Sequence, residues 1–245
     1  MREAALNAST HQEPVQKAVA FHEQRVEEIV DGDHELDDRE PQLVAHMIPE
    51  GYPSGGSLAA GENIDEQIPH FEGRSAWREQ HEHGQITTRA AKSGETEAYN
   101  LRTPVSGIET VSAGEIWERG DHNLFVASST EAKLAATANW AQEQFGEEYE
   151  SDWMTVLVTL IGVRGEQVRI PDNVRMSVSV SEAVFESDRI DPRPVKVPLE
   201  SCTPAETYNK LSPLFDRLWA DTGLEGSVFY SDGSEAEREI RGFLG

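Results

Sequence analysis

Val15, Val19, His22, Val26 and Ile29 recur at steps of four and three residues, the spacing of one stripe on a helix. Proline favours the first helical turn, so this pattern predicts a helix that begins after Pro14 and docks by that stripe. The acidic, glycine-containing stretch Asp31 to Pro41 ends it, and Leu43 to Ile48 then reads as a short buried strand. Between Pro49 and Gly84 seven further glycines and prolines interrupt a segment with few apolar anchors, which predicts a mobile glycine-rich loop at about 49–84. Ile86 to Ala91 and Glu97 to Val105 flank Lys92, Ser93 and Gly94 as a β-hairpin would, and a third strand follows through Ile108 and Val111.

After a brief apolar run at Leu124 to Ala127, Ser128 and Glu131 stand at the spacing of a capping box. Leu134, Ala138, Ala141 and Phe145 line one face of the helix so opened, with Gly146 placed to cap its end. Met154 to Val163 is a nearly unbroken apolar run rich in valine, which predicts a central strand covered on both faces and turned by Arg164 and Gly165. Val174, Met176, Val178 and Val180 alternate with polar residues, as do Val195, Val197 and Leu199, and both segments read as half-buried strands. Thr203, Pro204 and Glu206 occupy N-cap, N1 and N3 of a last helix packed by Leu211, Phe215, Leu218 and Trp219, with Pro213 expected to kink or restart it. A short strand at Val228 to Tyr230 and a charged tail close the pattern.

These elements define an α+β fold, a mixed and mainly antiparallel sheet with packed helices in a single domain. An amino-terminal helical segment takes residues 1–35, and the α+β body takes 36–245.

Composition changes this picture in one respect. The 245 residues carry a formal charge of -24, and of 21 cationic residues only Lys17, Lys92, Lys133, Lys196 and Lys210 are lysine. An acidic, lysine-poor surface is the pattern of cytoplasmic proteins from extreme halophiles, where concentrated salt screens the self-repulsion that such a charge creates. Cys202 is the single cysteine, so the chain holds no internal disulfide, and a reducing compartment is the natural expectation. No stretch approaches the roughly 20 apolar residues of a membrane span, and Met1 to Pro14 lacks the features of a signal peptide. Cytoplasmic localisation and no membrane partner are therefore expected.

Candidate chemistry is sparse. His81 and His83, with Glu79 and Glu82, bring imidazoles and carboxylates together in the glycine-rich loop, and with His46 they form the ligand set of a metal-dependent hydrolase reading. An i, i+2 histidine pair converges on one ion only when extended, and the spacing fixes no third ligand, so a solvated loop competes with that reading. His46 itself stands among apolar strand residues, as a hydrogen-bonded core histidine would. Asp121 and His122 resemble half of a dyad, but no serine sits in a nucleophile elbow, and the pair reads as a turn. Pro53 to Ser57 is glycine-rich without the lysine of a phosphate-binding loop, and no cofactor is expected. Direct DNA binding would rest on Arg74, Arg78 and Arg89, in a chain whose overall charge repels phosphate.

Three stretches carry a likeness. LVAHMIPE at Leu43 to Glu50 is similar to a strand ending in histidine, an aliphatic residue or methionine, and proline; EAYNLRTPVSGIETV at Glu97 to Val111 is followed by VTLIGVRG at Val158 to Gly165; and LFDRLWADTGLEGSVFYSDG covers Leu214 to Gly233. Together, in order and spacing, they resemble the carboxy-terminal region of the Schlafen/AlbA-like DNA-binding proteins, described as ATP-binding or transcriptional regulators. The likeness spans roughly Val15 to Gly233. The family's amino-terminal AlbA-like domain, with its Glu-Phe-Lys strand and Asn-Thr-x-Gly-Gly turn, has no counterpart here, and Val105 and Ser106 stand where the family has an arginine beside its Gly-Ile-Glu element. The resemblance therefore implies a non-enzymatic interaction or regulatory domain that meets a protein partner or a second copy of itself, and nucleic acid only indirectly. The metal-dependent hydrolase and the direct DNA-binding protein are the alternatives.

Overall fold

A computed structural model describes residues 2–36, 42–50, 76–81, 84–90, 96–103, 107–113, 116–119, 122–148, 151–170, 183–227, 229–230 and 233–244. Its centre is an antiparallel sheet in the order β10-β8-β1-β5-β4-β3-β2, with β11 beside β10 on the same flank of β8. The strands are β1 (Leu43–Pro49), β2 (Ala76–His81), β3 (Gly84–Ala90), β4 (Thr96–Thr103), β5 (Gly107–Ser112), β8 (Trp153–Ile161), β10 (Arg189–Ile190) and β11 (Val195–Pro198). A second, three-stranded sheet joins β6 (Ile116–Arg119), β7 (His122–Phe125) and β9 (Gln167–Val168), the last pairing parallel to β7. The fold is α+β, as the periodicities predict.

Alternation along β1 divides the core in two. Leu43, Ala45 and Met47 point into a large apolar cluster with Met154, Val156, Val158 and Leu160 of β8. Helices α2 (Ala127–Glu148), α3 (Pro204–Ala220) and α4 (Gly233–Leu244) cover that side and pack on one another. Val44 points the other way, into a smaller cluster with Tyr99, Leu101 and Val111, closed by Val26 and Ile29 of α1 (Arg2–Val30). The sheet is thus sandwiched between one helix and three.

Several local expectations change. Helix α1 runs through Pro14 instead of starting after it, because proline's fixed φ is itself helical and the chain forgoes one backbone bond there. Strand β2 occupies part of the segment that reads as loop; as an end strand of the sheet's path it needs little apolar content. Residues 51–75 of that segment lie outside the described residues, as does the strand expected at Val174 to Val180. Gly146 does not cap α2, which continues to Glu148. A Cβ at Gly146 would stand 2.6 Å from the Leu199 carbonyl oxygen, so glycine there permits close approach of helix and chain.

Helix α3 opens with the capping box read from Thr203 and Glu206, and it passes through Pro213 unbroken. The tail is helical: α4 buries Ala236 and Ile240, one turn apart, against α2 and α3. Phe229 and Tyr230 are not in a strand. The Asn139 amide donates to the Cys202 carbonyl at 2.8 Å and to Thr207 Oγ1 at 3.2 Å, and Cys202 is a buried free thiol.

Candidate functional site

A buried network of polar side chains lies between α1 and the sheet. His46 on β1 stands directly across from Glu109 on β5, so both side chains share the α1 face. His22 comes down from α1 in the middle of its buried stripe, four residues after Ala18 and four before Val26. The two rings meet edge to face, with Nδ1 to Nδ1 2.7 Å.

From this pair a chain of contacts runs both ways. His46 Nε2 lies 3.2 Å from Glu109 Oε2. Arg25, one turn beyond His22, clasps the same carboxylate through Nε at 2.7 Å and Nη2 at 3.2 Å, and also pairs with Asp33. Tyr99 donates its hydroxyl to Glu109 Oε1 at 3.0 Å. In the other direction His22 Nε2 lies 2.8 Å from Thr159 Oγ1, which donates to Asp191 Oδ1 at 2.6 Å. Arg189 completes that end by pairing with Asp191 and with Glu27 of α1.

The electrostatics follow from burial and neighbours. Burial alone would raise the Glu109 carboxyl, but hydrogen bonds from His46 and Arg25, and their charges, outweigh it and hold the group at about 2. Burial, then the charges of His46 and Arg189, push His22 down to about 3. His46 is fully buried and Glu109 nearly so. What this constellation does is fasten α1 to the sheet.

A second buried carboxylate sits on the opposite side of the sheet. Glu131, in the first turns of α2, accepts from Tyr208 at 2.7 Å and Trp219 Nε1 at 2.5 Å, both on α3, and from Ser227 Oγ at 2.9 Å. Burial raises it to about 7 against the opposing hydrogen bonds of Tyr208, Ser227 and Trp219. The spacing with Ser128 that suggests a capping box therefore misleads. Helix α2 already includes Ser128, and the Glu131 side chain turns inward to join three elements.

On the surface, an open cleft of about 830 Å³ lies where α2 ends beside β8, β11 and α3. Trp153, Ser151, Lys196 and Lys210 are among its lining residues, and Lys196 is ion-paired with Glu50. Trp153, 39% exposed, and Val30 are the exposed large apolar side chains among the described residues.

The structure separates the histidines of the metal reading. His46 is on β1 and His81 ends β2, four strand positions apart in the sheet order, which is about 19 Å at the usual inter-strand spacing. His83 lies outside the described residues, and among these no group of three or more histidine, cysteine or acidic side chains is placed to hold a metal. Both ring nitrogens of His46 are already engaged by His22 and Glu109, as the core-histidine reading expects. Of the arginines, Arg74 and, of the dyad, Asp121 lie outside the described residues, while His122 opens β7. Arg78 pairs in register with Thr87, and Arg89, two positions on, pairs with Ala76, so the two arginines occupy diagonal positions on neighbouring strands.

Sequence reasoning overlooked Arg25, Glu109, Thr159 and Glu131. The available signal was polarity out of place: His22 inside an apolar helical stripe, and Glu109 flanked by Ile108 and Val111 in a strand. No protein-family model matches this chain, and neither a curated protein nor a solved structure shows significant similarity to it.

Proposed function

We propose that this chain is a non-enzymatic interaction domain of an AlbA-like DNA-binding or transcriptional-regulator system, acting in a salt-adapted cytoplasm through contact with a protein. The observation that carries the reading is that the buried cluster between α1 and the sheet is closed upon itself: all four ring nitrogens of His22 and His46 have partners inside the protein. A base or a metal ligand needs a free lone pair, and this network spends its own on fastening a helix. The residues that carry the Schlafen/AlbA-like resemblance serve the same end. His46 from the first stretch meets Glu109 from the second, and Trp219 from the third anchors Glu131.

The exposed Trp153 at the cleft supports a protein contact, since tryptophan concentrates binding energy at interfaces. Size-exclusion chromatography with light scattering, and affinity capture from extract, both in molar KCl, test the reading. A defined oligomer or a specific captured protein is expected. A monomer that recovers nothing refutes it.

One observation favours direct DNA binding as a second reading. The β2–β3 register brings Arg78 and Arg89 to diagonal positions, and β2, β3 and β4 carry no acidic residue on the register positions of that face. A gel shift that fails in both low and high salt removes it.

A further inference from the structure

Hydrogen-bond bookkeeping around His22 and His46 leaves one particle unassigned. Glu109 is held ionised by Arg25 and can only accept, so the Nε2 of His46 that faces it must carry hydrogen. Thr159 has a single hydroxyl proton and gives it to Asp191, a carboxylate also paired with Arg189. The Thr159 oxygen therefore accepts, and the Nε2 of His22 that faces it must carry hydrogen too. If both rings were neutral, each Nδ1 would present a bare lone pair to the other at 2.7 Å. Two buried acceptors do not approach to hydrogen-bond distance without something positive between them.

We infer that a proton resides between the Nδ1 atoms of His22 and His46, making the pair a buried imidazole–imidazolium clamp that holds α1 on β1. The separation decides against a metal ion in that place. Two imidazole nitrogens bound to one tetrahedral zinc, each at 2.0–2.1 Å, stand roughly 3.3 Å apart, whereas 2.7 Å is the length of a nitrogen–hydrogen–nitrogen bond. The surroundings are net acidic and favour one added positive charge, with Asp33 and Glu28 also paired to Arg25. Glu109 on β5 and Arg25 on α1 face His46, with Tyr99 of β4 on the same carboxylate, while Thr159 of β8, Asp191 and Arg189 face His22, and Glu27 of α1 closes on Arg189. With Nδ1 of His46 as donor and Nδ1 of His22 as acceptor, each of these contacts pairs one donor with one acceptor.

The clamp works with one proton and fails with two. A second proton places two cations ring to ring. The neighbouring charge of His46 is one of the causes, after burial, that depress His22 to about 3. A group depressed on folding contributes stability that is full above the unfolded value of 6.5 and is lost as pH falls toward 3.

The test is ¹⁵N-histidine labelling of the full chain in molar KCl at pH 8, where a histidine with the unfolded value of 6.5 is neutral. Long-range proton–nitrogen correlations are expected to show one core histidine protonated on both nitrogens and its partner protonated on Nε2 alone. Two neutral rings would overturn the inference. So would stoichiometric metal, found by elemental analysis of protein purified without chelator, that is lost together with the α1 amide protection when chelator is added. His22→Gln and His46→Gln, each read for loss of the doubly protonated signal, assign it to the pair; survival of that signal in both variants also refutes the clamp.

Discussion

Replacing Glu131 with glutamine should abolish a component of pH-dependent instability that the wild-type chain carries. Folding buries this carboxyl and raises it from 4.5 to about 7. Between those values the folded state keeps a proton that the unfolded state has released, so stability falls as pH rises through the window. A shift of that size, at 1.36 kcal/mol per unit, corresponds to about 3 kcal/mol. Glutamine preserves the contacts, because its oxygen can accept from Trp219 while its amide donates to the hydroxyls of Tyr208 and Ser227, both free to rotate. The variant should match wild type to within about 1 kcal/mol at pH 5 and exceed it by about 3 kcal/mol at pH 8, which for a chain of this size is on the order of 6–12 °C in Tm. Urea unfolding followed by circular dichroism in molar KCl measures the difference at each pH, and the opposite acid-side contributions of His22 and Glu109 cancel because both proteins carry them. Parallel stability curves for the two proteins from pH 5 to 8 would refute the assignment of a neutral, buried Glu131.

Two further outcomes follow from geometry and charge. Gly107 has a φ of 74°, and a Cβ there would lie 2.1 Å from the Met47 carbonyl oxygen, so Gly107→Ala should lose about 2–3 kcal/mol or more in the same urea assay; an unchanged midpoint would mean that β1 and β5 do not approach this closely. With a net charge of -24, the thermal midpoint should fall steadily as KCl is lowered from molar to dilute, since the screening length grows from about 3 Å to about 30 Å between 1 M and 0.01 M. A midpoint independent of salt contradicts adaptation to concentrated brine.

Most strands and helices were legible because their side chains alternate or recur against a buried surface. The run Met154 to Val163 announced β8, and Leu134, Ala138, Ala141 and Phe145 announced α2. Helix α4 escaped because its buried face needs only small or widely spaced residues, Gly233, Ala236 and Ile240, among many charges. Strand β2 escaped because Trp77 is its one large apolar residue. The candidate site was hidden for a different reason. His22, Glu109 and Thr159 come from α1, β5 and β8, so their meeting depends on strand order, which local periodicity does not encode. Glu131 shows the opposite hazard, a correct local spacing with the wrong partner, because Tyr208 and Trp219 compete for a carboxylate that the helix end does not need.

Cys202 gives the molecule a built-in reporter. The chain has one thiol, it is buried, and its own carbonyl is tied to Asn139 on α2 just before α3 begins. A thiol-reactive dye therefore has a single attachment point, and its access should rise when the α2–α3 junction opens. The labelling rate across salt concentrations would convert the strength of that junction into a clock. It does so without a substitution and without unfolding the bulk of the sample.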